Sequence, residues 1–418
     1  PPSSSSATHS HVRLLFGRPS PALLLAPMEG LADRRFRRAL CWGPGAAAPD
    51  ECCHEFIRIP SKLSPGAVPE RCASSVCRKY TASELSDLAG GVPLAAQVMG
   101  ERADMLRVAG RELALAGAPR IDLNCGCPAN QVTGKGAGSS LLRTPERLAA
   151  CVEALRAGVA DAGVGEVAVT AKLRAGYDDD SLFEENVAAA QEGGAAFIAV
   201  HPRTRRQGYS GEANWDLIAL AKSLAAVPVV GNGDVTTPER AVRMLAHTGA
   251  DGCMVGRGAV HDPLVFRRIR AAVSGSEYRA PEGGEAAYVE GFLRAYRAEL
   301  DVPNVKGGRQ QNWKFGPSKL DRMQKNKLKS VVNYLFASSP GMAAVRGRLL
   351  AEGALTCDGL LEEACAAVRE RWEQPGHTVL DTFSARTQYQ KGHGAEERRR
   401  FAPAAAPAAE AAAEAASE

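Results

Sequence analysis

Two cysteines end one short apolar run, in the segment Ile121-Asp122-Leu123-Asn124-Cys125-Gly126-Cys127-Pro128. Such a pair can hold a metal, form a redox couple or provide one reactive thiol. Zinc sites favour paired Cys-x₂₋₄-Cys or histidine elements, whereas the other cysteine cluster, Cys52 to Cys77, is irregularly spaced. The pattern therefore favours one buried and one acting cysteine, and no metal. A neutral thiol, with a pKa of about 8.5, can donate a proton at neutral pH.

Two glycine-rich turns follow later apolar runs, Gly231-Asn232-Gly233-Asp234 and Gly256-Arg257-Gly258. Glycine lets backbone N–H groups approach an anion, and Arg257 can add a forked contact. Each turn alone could simply use glycine for a positive φ, but their combined placement favours a phosphate site. Lys172 lies within another apolar run. There a lysine either pairs with a polar or anionic cofactor group or extends to solvent.

Eight short apolar runs alternate with longer Ala-, Leu- and Arg-rich stretches typical of helices. The runs are Ala22–Ala26, Cys53–Ile57, Leu94–Val98, Arg120–Leu123, Val167–Leu173, Ala196–Val200, Val227–Val230 and Asp251–Val255. Eight such units over about 240 residues predict an α/β fold, a closed (β/α)₈ TIM barrel. A doubly wound sheet would need GxGxxG after its first strand, and Ala26-Pro27-Met28-Glu29-Gly30 does not match. Polar groups follow nearly every run, at the edge where barrel enzymes place their active sites.

Composition limits the remaining possibilities. The chain has 418 residues and a net charge of +4, and no apolar run approaches the length of about 20 residues that spans a membrane. Eleven irregularly spaced cysteines favour a reducing compartment. Residues 1–20 are predicted to be a disordered leader, which resembles a plastid or mitochondrial transit peptide; otherwise a cytoplasmic location is expected. Residues 376–418 are predicted to be a disordered, low-complexity tail.

The barrel is predicted over residues 21–270 and a small C-terminal helical domain over residues 280–375. Within that domain, Lys306 to Lys329 contains eight basic residues and one acid, with two aromatic residues interleaved. A basic run is most often a solvated face, but this density with aromatic residues favours contact with RNA. Lys325 and Lys329 are the predicted contacts there. Arg203 and Arg205, after the sixth run, could reach the same phosphate backbone.

With these motifs in place, the sequence resembles the tRNA-dihydrouridine synthases, flavin enzymes that reduce uridine in the D loop of tRNA. The resemblance extends from about Ala22 to Ala259 and more weakly to about residue 375. It rests on ordered motifs around Pro27, Gln97, Cys127, Lys135, Lys172, His201, Asn232 and Arg257. The Asn-Cys-Gly-Cys-Pro segment most resembles the bacterial branch that acts on U16. Residues 60–80 and 304–321 depart from that branch.

The resemblance implies a bound FMN with NADPH as reductant. The residues implied to contact FMN are Pro27, Met28, Glu29, Gln97, Lys172, His201, Asn232, Gly233, Asp234, Gly256 and Arg257. Cys127 matches the family's proton donor, and Asn124 is expected to bind the substrate. The implied reaction adds hydride from reduced FMN and a proton from Cys127 across the C5–C6 double bond of uridine. The implied partner is tRNA, with no protein partner, no membrane and a monomeric state.

Two alternatives remain. An FMN barrel could instead act on a free small molecule such as a pyrimidine, because such enzymes share the glycine-rich phosphate turns and a catalytic cysteine or serine. A protein of another class, a non-catalytic tRNA-binding protein, would keep the basic run and lose the chemistry. The presence of Cys127, Lys172 and His201 argues against that second alternative.

Overall fold

The computed structural model shows a barrel followed by helices. It describes residues 10–42, 47–62, 67–77, 80, 91–128, 136–302, 305–306, 309–310, 317–337, 342–351, 353 and 355–372. The barrel strands are β1 (Ala22–Leu25), β2 (Glu51–Cys53), β3 (Ile57–Arg58), β4 (Leu94–Met99), β5 (Arg120–Cys125), β6 (Ala168–Gly176), β7 (Ile198–Thr204), β8 (Val229–Asn232) and β9 (Gly252–Val255). A short antiparallel pair, β10 (Val305–Lys306) and β11 (Arg309–Gln310), lies outside the barrel.

Helices precede, connect and follow these strands. The first ten are α1 (Ser10–Phe16), α2 (Arg34–Leu40), α3 (Pro69–Cys77), α4 (Ala103–Leu115), α5 (Pro145–Ala162), α6 (Phe183–Glu192), α7 (Asp216–Leu224), α8 (Pro238–Thr248), α9 (Gly258–His261) and α10 (Val265–Ser274). The C-terminal four are α11 (Gly284–Asp301), α12 (Pro317–Ala337), α13 (Ala343–Ala351) and α14 (Cys357–Arg371). Among the helices described, none is long and apolar enough to cross a membrane.

Eight strand positions close into a parallel barrel. β1 pairs with both β2 and β9, and the remaining neighbours follow in chain order. β2 and β3 both pair with β4, so they form one interrupted position. The predicted (β/α)₈ barrel followed by helices is therefore confirmed. The continuous strand predicted over Cys53–Ile57 is wrong, because the chain leaves the sheet at residues 54–56, where the Glu55 carboxylate accepts a hydrogen bond from the Gly30 N–H.

Helix α1 closes the N-terminal end of the barrel. Its Val12 and Leu15 pack in one buried apolar cluster with residues at the starts of β1, β6 and β9 and with Phe197. His11 Nε2 lies 2.6 Å from a carboxylate oxygen of Glu51, which is itself fully buried. The predicted disordered leader over residues 1–20 is therefore wrong for this helix, because burial of its apolar face stabilises it. Residues 1–9, like the predicted tail 376–418, lie outside the described part.

The C-terminal helices pack against the barrel at several points. Phe36 of α2 contacts Phe292 of α11 edge-to-face, with ring centroids 5.8 Å apart. The Lys327 ammonium on α12 donates to the Gly30 carbonyl at 3.2 Å and lies 3.3 Å from Asp33 Oδ2. These contacts place α12 beside the loop that follows β1, at the C-terminal edge of the barrel strands. The helices thus adjoin the edge that carries the polar strand ends.

Candidate active site

The loop after β5 holds Cys127 at the mouth of the barrel. The side-chain oxygen of Asn124 accepts hydrogen bonds from the N–H groups of Gly126 and Cys127, both at 2.9 Å. The Ser139 hydroxyl donates to the Cys127 carbonyl at 2.9 Å. Asparagine is suited to this position because its short side chain reaches the peptide groups two and three residues on. The Cys127 thiol is thereby fixed at a half-buried position.

The two cysteines of this segment lie in different environments. Cys125 is fully buried, and burial raises the pKa of its thiol well above the usual value. Its sulfur is therefore neutral and shielded from solvent. Cys127, two residues on, is partly accessible. The structure thus separates a core thiol from an accessible thiol, in the way that the sequence predicts.

Three polar side chains extend from adjacent strands beneath this loop. Asn124 donates from Nδ2 to the Gln97 side-chain oxygen at 2.7 Å, and both side chains are buried. Asn124 also lies beside Lys172 of β6 in the strand register. Burial, together with the nearby positive Arg174, lowers the pKa of Lys172 to about 8. Within the described residues, the Lys172 ammonium has no hydrogen-bond or ion-pair partner.

We expect Lys172→Met to stabilise the flavin-free protein by about 2–3 kcal/mol at pH 7. The folded state lowers the pKa of this lysine, so the unfolded chain binds its proton more tightly, and the cost of the buried charge is fully present below pH 8. That cost declines between pH 8 and about 10.5, and the difference between variant and wild type should shrink across this window. Urea unfolding from pH 7 to 9.5 measures it. The exposed Lys62 supplies the control Lys62→Met, which should change stability little because it removes no buried charge.

His201, in the middle of β7, carries a neutral imidazole. Burial lowers its pKa well below the usual value, and the positive side chains of Arg174, Lys172 and Arg203 act in the same direction. Its Nε2 lies 3.3 Å from a guanidinium nitrogen of Arg203. Gly233 after β8 allows this packing, because its φ is +112° and an added Cβ would lie 2.8 Å from His201 Cδ2. Gly233, which was predicted to let the turn approach a phosphate, is thus also needed because a larger residue would clash with His201.

Arg203 and Asp234 bind each other. The guanidinium donates to both carboxylate oxygens, at 2.9 and 2.6 Å, and the Ala213 N–H donates to the same carboxylate at 2.8 Å. Both side chains are buried. The pairing with Asp234 holds Arg203 inside the barrel, and contact of Arg203 with the RNA backbone stays a prediction. Similarly, the Asp234 carboxylate positions the turn, which leaves only the backbone of this residue to face a cofactor.

The turn after β9 lies beside the loop after β1. An added Cβ at Gly256 would lie 3.5 Å from the Met28 sulfur, which is ordinary contact. Pro27 and Met28 are half-buried there, whereas Glu29 is exposed. Asn232 donates from Nδ2 to the Met254 carbonyl at 2.7 Å, which ties the two turns together. The predicted cofactor residues of these loops therefore meet at one edge of the barrel.

Two tyrosines at the mouth contact arginines, an arrangement that sequence reasoning missed. The guanidinium carbon of Arg257 lies 4.6 Å from the Tyr209 ring centroid, and that of Arg174 lies 5.4 Å from it. Arg205 is 5.1 Å from the ring centroid of Tyr177. Such cation–π contacts hold arginines over aromatic faces. The tyrosines follow β6 and β7 in loops. The only sequence signal for these contacts was the presence of arginines nearby in the chain.

Lys325 and Lys329 serve the helical region itself. Lys325 donates to the carbonyls of Gly353 and Leu355, at 2.9 and 2.6 Å, and Lys329 donates to the Leu350 carbonyl at 2.7 Å. Both ammonium groups satisfy carbonyls near the end of α13, where a positive charge is favourable. Their contact with RNA stays a prediction. On α12 the exposed basic side chains are instead Lys319 and Arg322.

The residues at the mouth fit a flavin with a phosphate tail. Lys172 offers an ammonium without a partner among the described residues, and Gly256 brings the backbone of its turn close to Met28. In the described part of the chain, the Arg203 Nε is also buried without a hydrogen-bond partner. No group of three or more metal-ligating side chains occurs in the described part of the chain. The arrangement is that of a (β/α)₈-barrel enzyme with an anion-binding mouth and an accessible thiol.

Comparison with known proteins identifies the family. Residues 24–299 match the family described as "Dihydrouridine synthase (Dus)". A tRNA-dihydrouridine(16) synthase from Ralstonia nicotianae is 40% identical over 279 residues, which are 66% of this chain and 80% of that protein. One of the same name from Cupriavidus necator is 41% identical over 61% of this chain and 75% of that protein. A tRNA-dihydrouridine synthase B from Pseudomonas syringae pv. tomato is 35% identical over 67% of this chain and 76% of that protein.

The chain belongs to the dihydrouridine synthase family. The predicted resemblance, including its likeness to the U16 branch, is therefore confirmed. So is the predicted class, a flavin-dependent oxidoreductase. Helix α1 lies before the matched residues, and most of the C-terminal helical region lies after them.

Proposed function

We propose that this protein reduces a D-loop uridine of tRNA to dihydrouridine, with FMN as its cofactor and NADPH as its reductant. The observation that carries the proposal is the half-buried Cys127 thiol at the barrel mouth, in the loop that is held by Asn124, the neighbour of Lys172 in the strand register. A thiol at that position suits proton donation to a base that enters the mouth. The names of the similar bacterial proteins support tRNA as the substrate.

The chain's own residues define where FMN would bind. Gln97 and Lys172 would face the polar edge of the ring, and Met28 would border it. The turns at Gly233 and Gly256, with Arg257, would hold the phosphate through backbone N–H groups and the guanidinium. When bound, FMN supplies the hydride that the reaction adds to C6 of the uracil.

The remaining chemistry belongs to side chains of the protein. Cys127 Sγ donates its proton to C5, so that one hydride and one proton together saturate the C5–C6 double bond and leave a thiolate, which solvent reprotonates. Neutral His201 can hydrogen-bond the uracil without adding a charge to this crowded basic site. Lys172 provides the positive charge that complements the reduced cofactor. A loop uridine suits such a site, because unstacking it costs less than opening a duplex.

The experiment that tests the function uses the full chain with unmodified tRNA, FMN and NADPH. We expect mass spectrometry to detect dihydrouridine in tRNA, mapped to position 16, and none when free uridine replaces tRNA. Turnover of free pyrimidines would instead favour the small-molecule alternative. Protein that binds tRNA but retains no flavin would favour the non-catalytic alternative.

We further propose that tRNA is bound by Lys319 and Arg322 on α12 together with Arg205 and the tyrosines at the mouth. Helix α12 adjoins the loop after β1, and these two basic residues are exposed. Stacking of bases on aromatic side chains and contacts of basic residues with phosphates are the usual means of binding unpaired RNA. We expect the protein to act as a monomer, in the cytoplasm or, if residues 1–20 serve as a transit peptide, in a plastid or mitochondrion.

The double variant Lys319→Ala/Arg322→Ala should raise the KM for tRNA about 3–10-fold at 0.1 M salt and leave kcat unchanged, because it removes phosphate contacts. It should also flatten the dependence of log KM on log salt. Steady-state kinetics at three salt concentrations measure both effects. The control Arg107→Ala/Arg111→Ala removes two charges from α4 on the outside of the barrel. An equal loss in both variants would contradict a specific role for α12.

A further inference from the structure

A buried row of side chains links the interior of the barrel to the Cys127 loop. We call it the polar row; its members are Glu51, Arg120, Asp122, Gln97 and Asn124, all of them buried. They come from three neighbouring strands, β2, β4 and β5. Gln97 and Asn124 were predicted as site residues, whereas the other three were not. Three of the five, Glu51, Arg120 and Asp122, are ionisable residues buried in the barrel interior beneath the Cys127 loop.

Each member of the polar row is hydrogen-bonded to the next. The Arg120 guanidinium donates to Glu51 and, at 3.1 Å, to Asp122 Oδ1. Gln97 Nε2 donates to Asp122 Oδ2 at 2.8 Å, and Asn124 Nδ2 donates to Gln97 Oε1 at 2.7 Å. Asn124 Oδ1 then accepts from Gly126 and Cys127, as described above. The row therefore ends on the peptide N–H of the residue that carries the reactive thiol.

The direction of these hydrogen bonds follows from Asp122. A carboxylate only accepts hydrogen bonds, so Gln97 must turn its NH₂ group toward Asp122 and its oxygen toward Asn124. Asn124 must then turn its own NH₂ toward Gln97, which leaves its oxygen for the two peptide N–H groups. Thr170 reinforces the origin of the row, because its hydroxyl donates to Asp122 Oδ1 at 2.7 Å while it accepts from Arg120 at 2.6 Å.

We propose that Asp122 is a positioning residue for the reaction. Its carboxylate, held by Arg120 and Thr170, sets the orientation of the Gln97 and Asn124 amides and, through Asn124 Oδ1, the position of the Cys127 backbone and thiol. Asp122 does not touch the uracil in this scheme; it acts through two amides. This inference deepens the proposed function and rests on it for its effect on catalysis, but its effect on the loop is independent of the substrate.

The variant Asp122→Asn tests whether Asp122 sets the direction of the hydrogen bonds in the polar row, because it replaces one carboxylate oxygen by NH₂ without changing the size of the side chain. The new amide keeps its oxygen toward Arg120 and Thr170, so its NH₂ faces the NH₂ of Gln97. Gln97 must then flip, and Asn124 must flip after it, which sets its NH₂ against the peptide N–H groups of Gly126 and Cys127. Donors that face donors cannot bond, and the loop loses two hydrogen bonds.

Thiol alkylation tests this consequence without substrate. Full-length protein is treated with iodoacetamide, and peptide mass spectrometry follows the rates at Cys127 and at the half-buried Cys72 of α3 as an internal reference. In Asp122→Asn we expect the Cys127-to-Cys72 rate ratio to rise about tenfold, because the loop is no longer held. A ratio within twofold of wild type in a folded variant would overturn the proposal.

A second substitution should restore the row. In Asp122→Asn/Gln97→Glu the carboxylate moves one link along, and the net charge of the barrel interior is unchanged. The new carboxylate accepts from the new amide on one side and from Asn124 Nδ2 on the other, so Asn124 Oδ1 again faces the loop. We expect the alkylation ratio to return to within twofold of wild type. A ratio that stays high would show that Asp122 only supports the fold.

Kinetics link the row to catalysis. Asp122→Asn should lower kcat for dihydrouridine formation about 10–100-fold, with an unchanged KM for tRNA. If wild type forms no dihydrouridine, the proposed function fails while the alkylation result still decides the positioning role. Should Asp122→Asn not fold, Gln97→Leu cuts the same row one link later. It should raise the alkylation ratio by less than Asp122→Asn does, because Asn124 loses its acceptor while its oxygen can still face the loop; an unchanged ratio there would also overturn the proposal.

Discussion

Replacing Cys127 with alanine should lower the rate of dihydrouridine formation by about 10²–10⁴-fold, the usual contribution of a positioned general acid. In the proposed mechanism the thiol donates to C5 of the uracil, and alanine removes this donor while the backbone contacts with Asn124 and Ser139 stay available. Flavin reduction by NADPH and the affinity for tRNA should stay within twofold of wild type. Single-turnover oxidation of the reduced protein by tRNA measures the affected step directly.

Cys125 provides the matched control for this experiment. Its sulfur is fully buried two residues away, so Cys125→Ala should reduce stability by about 1 kcal/mol and change the rate little. Equal rate losses in the two variants would mean that the segment is merely sensitive to disturbance. A Cys127→Ala protein with wild-type rate would remove this thiol from the mechanism.

The barrel was predictable because burial on both faces of a parallel sheet leaves a strong pattern. Seven of the eight predicted runs overlap continuous barrel strands, and the polar residues at their ends meet at one edge. The exception, Cys53–Ile57, is interrupted by a contact between the Glu55 carboxylate and the Gly30 N–H of another loop. A hydrogen bond between residues so distant in sequence has no local signal. The strands could therefore be predicted from the sequence, whereas the interruption within Cys53–Ile57 could not.

Roles of charged residues were the least predictable part of the site. Arg203 and Lys325 look alike in sequence, as basic residues in basic surroundings, yet one is buried against Asp234 and the other donates to carbonyls beyond α13. Their partners lie 28 or more residues away along the chain. Only the closed fold brings these partners together, so the structural contacts of Arg203 and Lys325 cannot be read from the sequence. Helix α1 is a second example. Its lack of acidic residues suggested a disordered leader, although one face of the helix is buried against the barrel.

The polar interior also explains why the site tolerates several positive charges at close range. Arg203 is neutralised by Asp234, and Arg120 lies between Glu51 and Asp122. Lys172 differs, because it has no anionic partner among the described residues, and its pKa is lowered to about 8. Lys172 thus remains an uncompensated cation, at the place where a reduced cofactor would supply negative charge.

Replacing Arg203 with methionine should destabilise the protein by about 3–5 kcal/mol, because it leaves the buried carboxylate of Asp234 without its cation. The turn that contains Gly233 depends on the same carboxylate through the Ala213 N–H, so flavin retention should fall as well. Urea unfolding of the flavin-free protein measures the stability loss. Flavin content after gel filtration measures retention.

Two companion variants separate loss of charge balance from loss of packing. Arg203→Met/Asp234→Asn removes both charges and should recover a large part of the lost stability, since no unpaired ion remains buried. Arg107→Met breaks an exposed pair with Asp161 on the outside of the barrel and should cost far less stability, because solvent screens that pair. If the double variant is as unstable as the single one, the loss comes from packing around the guanidinium. If Arg203→Met is no less stable than Arg107→Met, the pair does not hold the turn, and the assignment of Arg203 to the structure of the site is wrong.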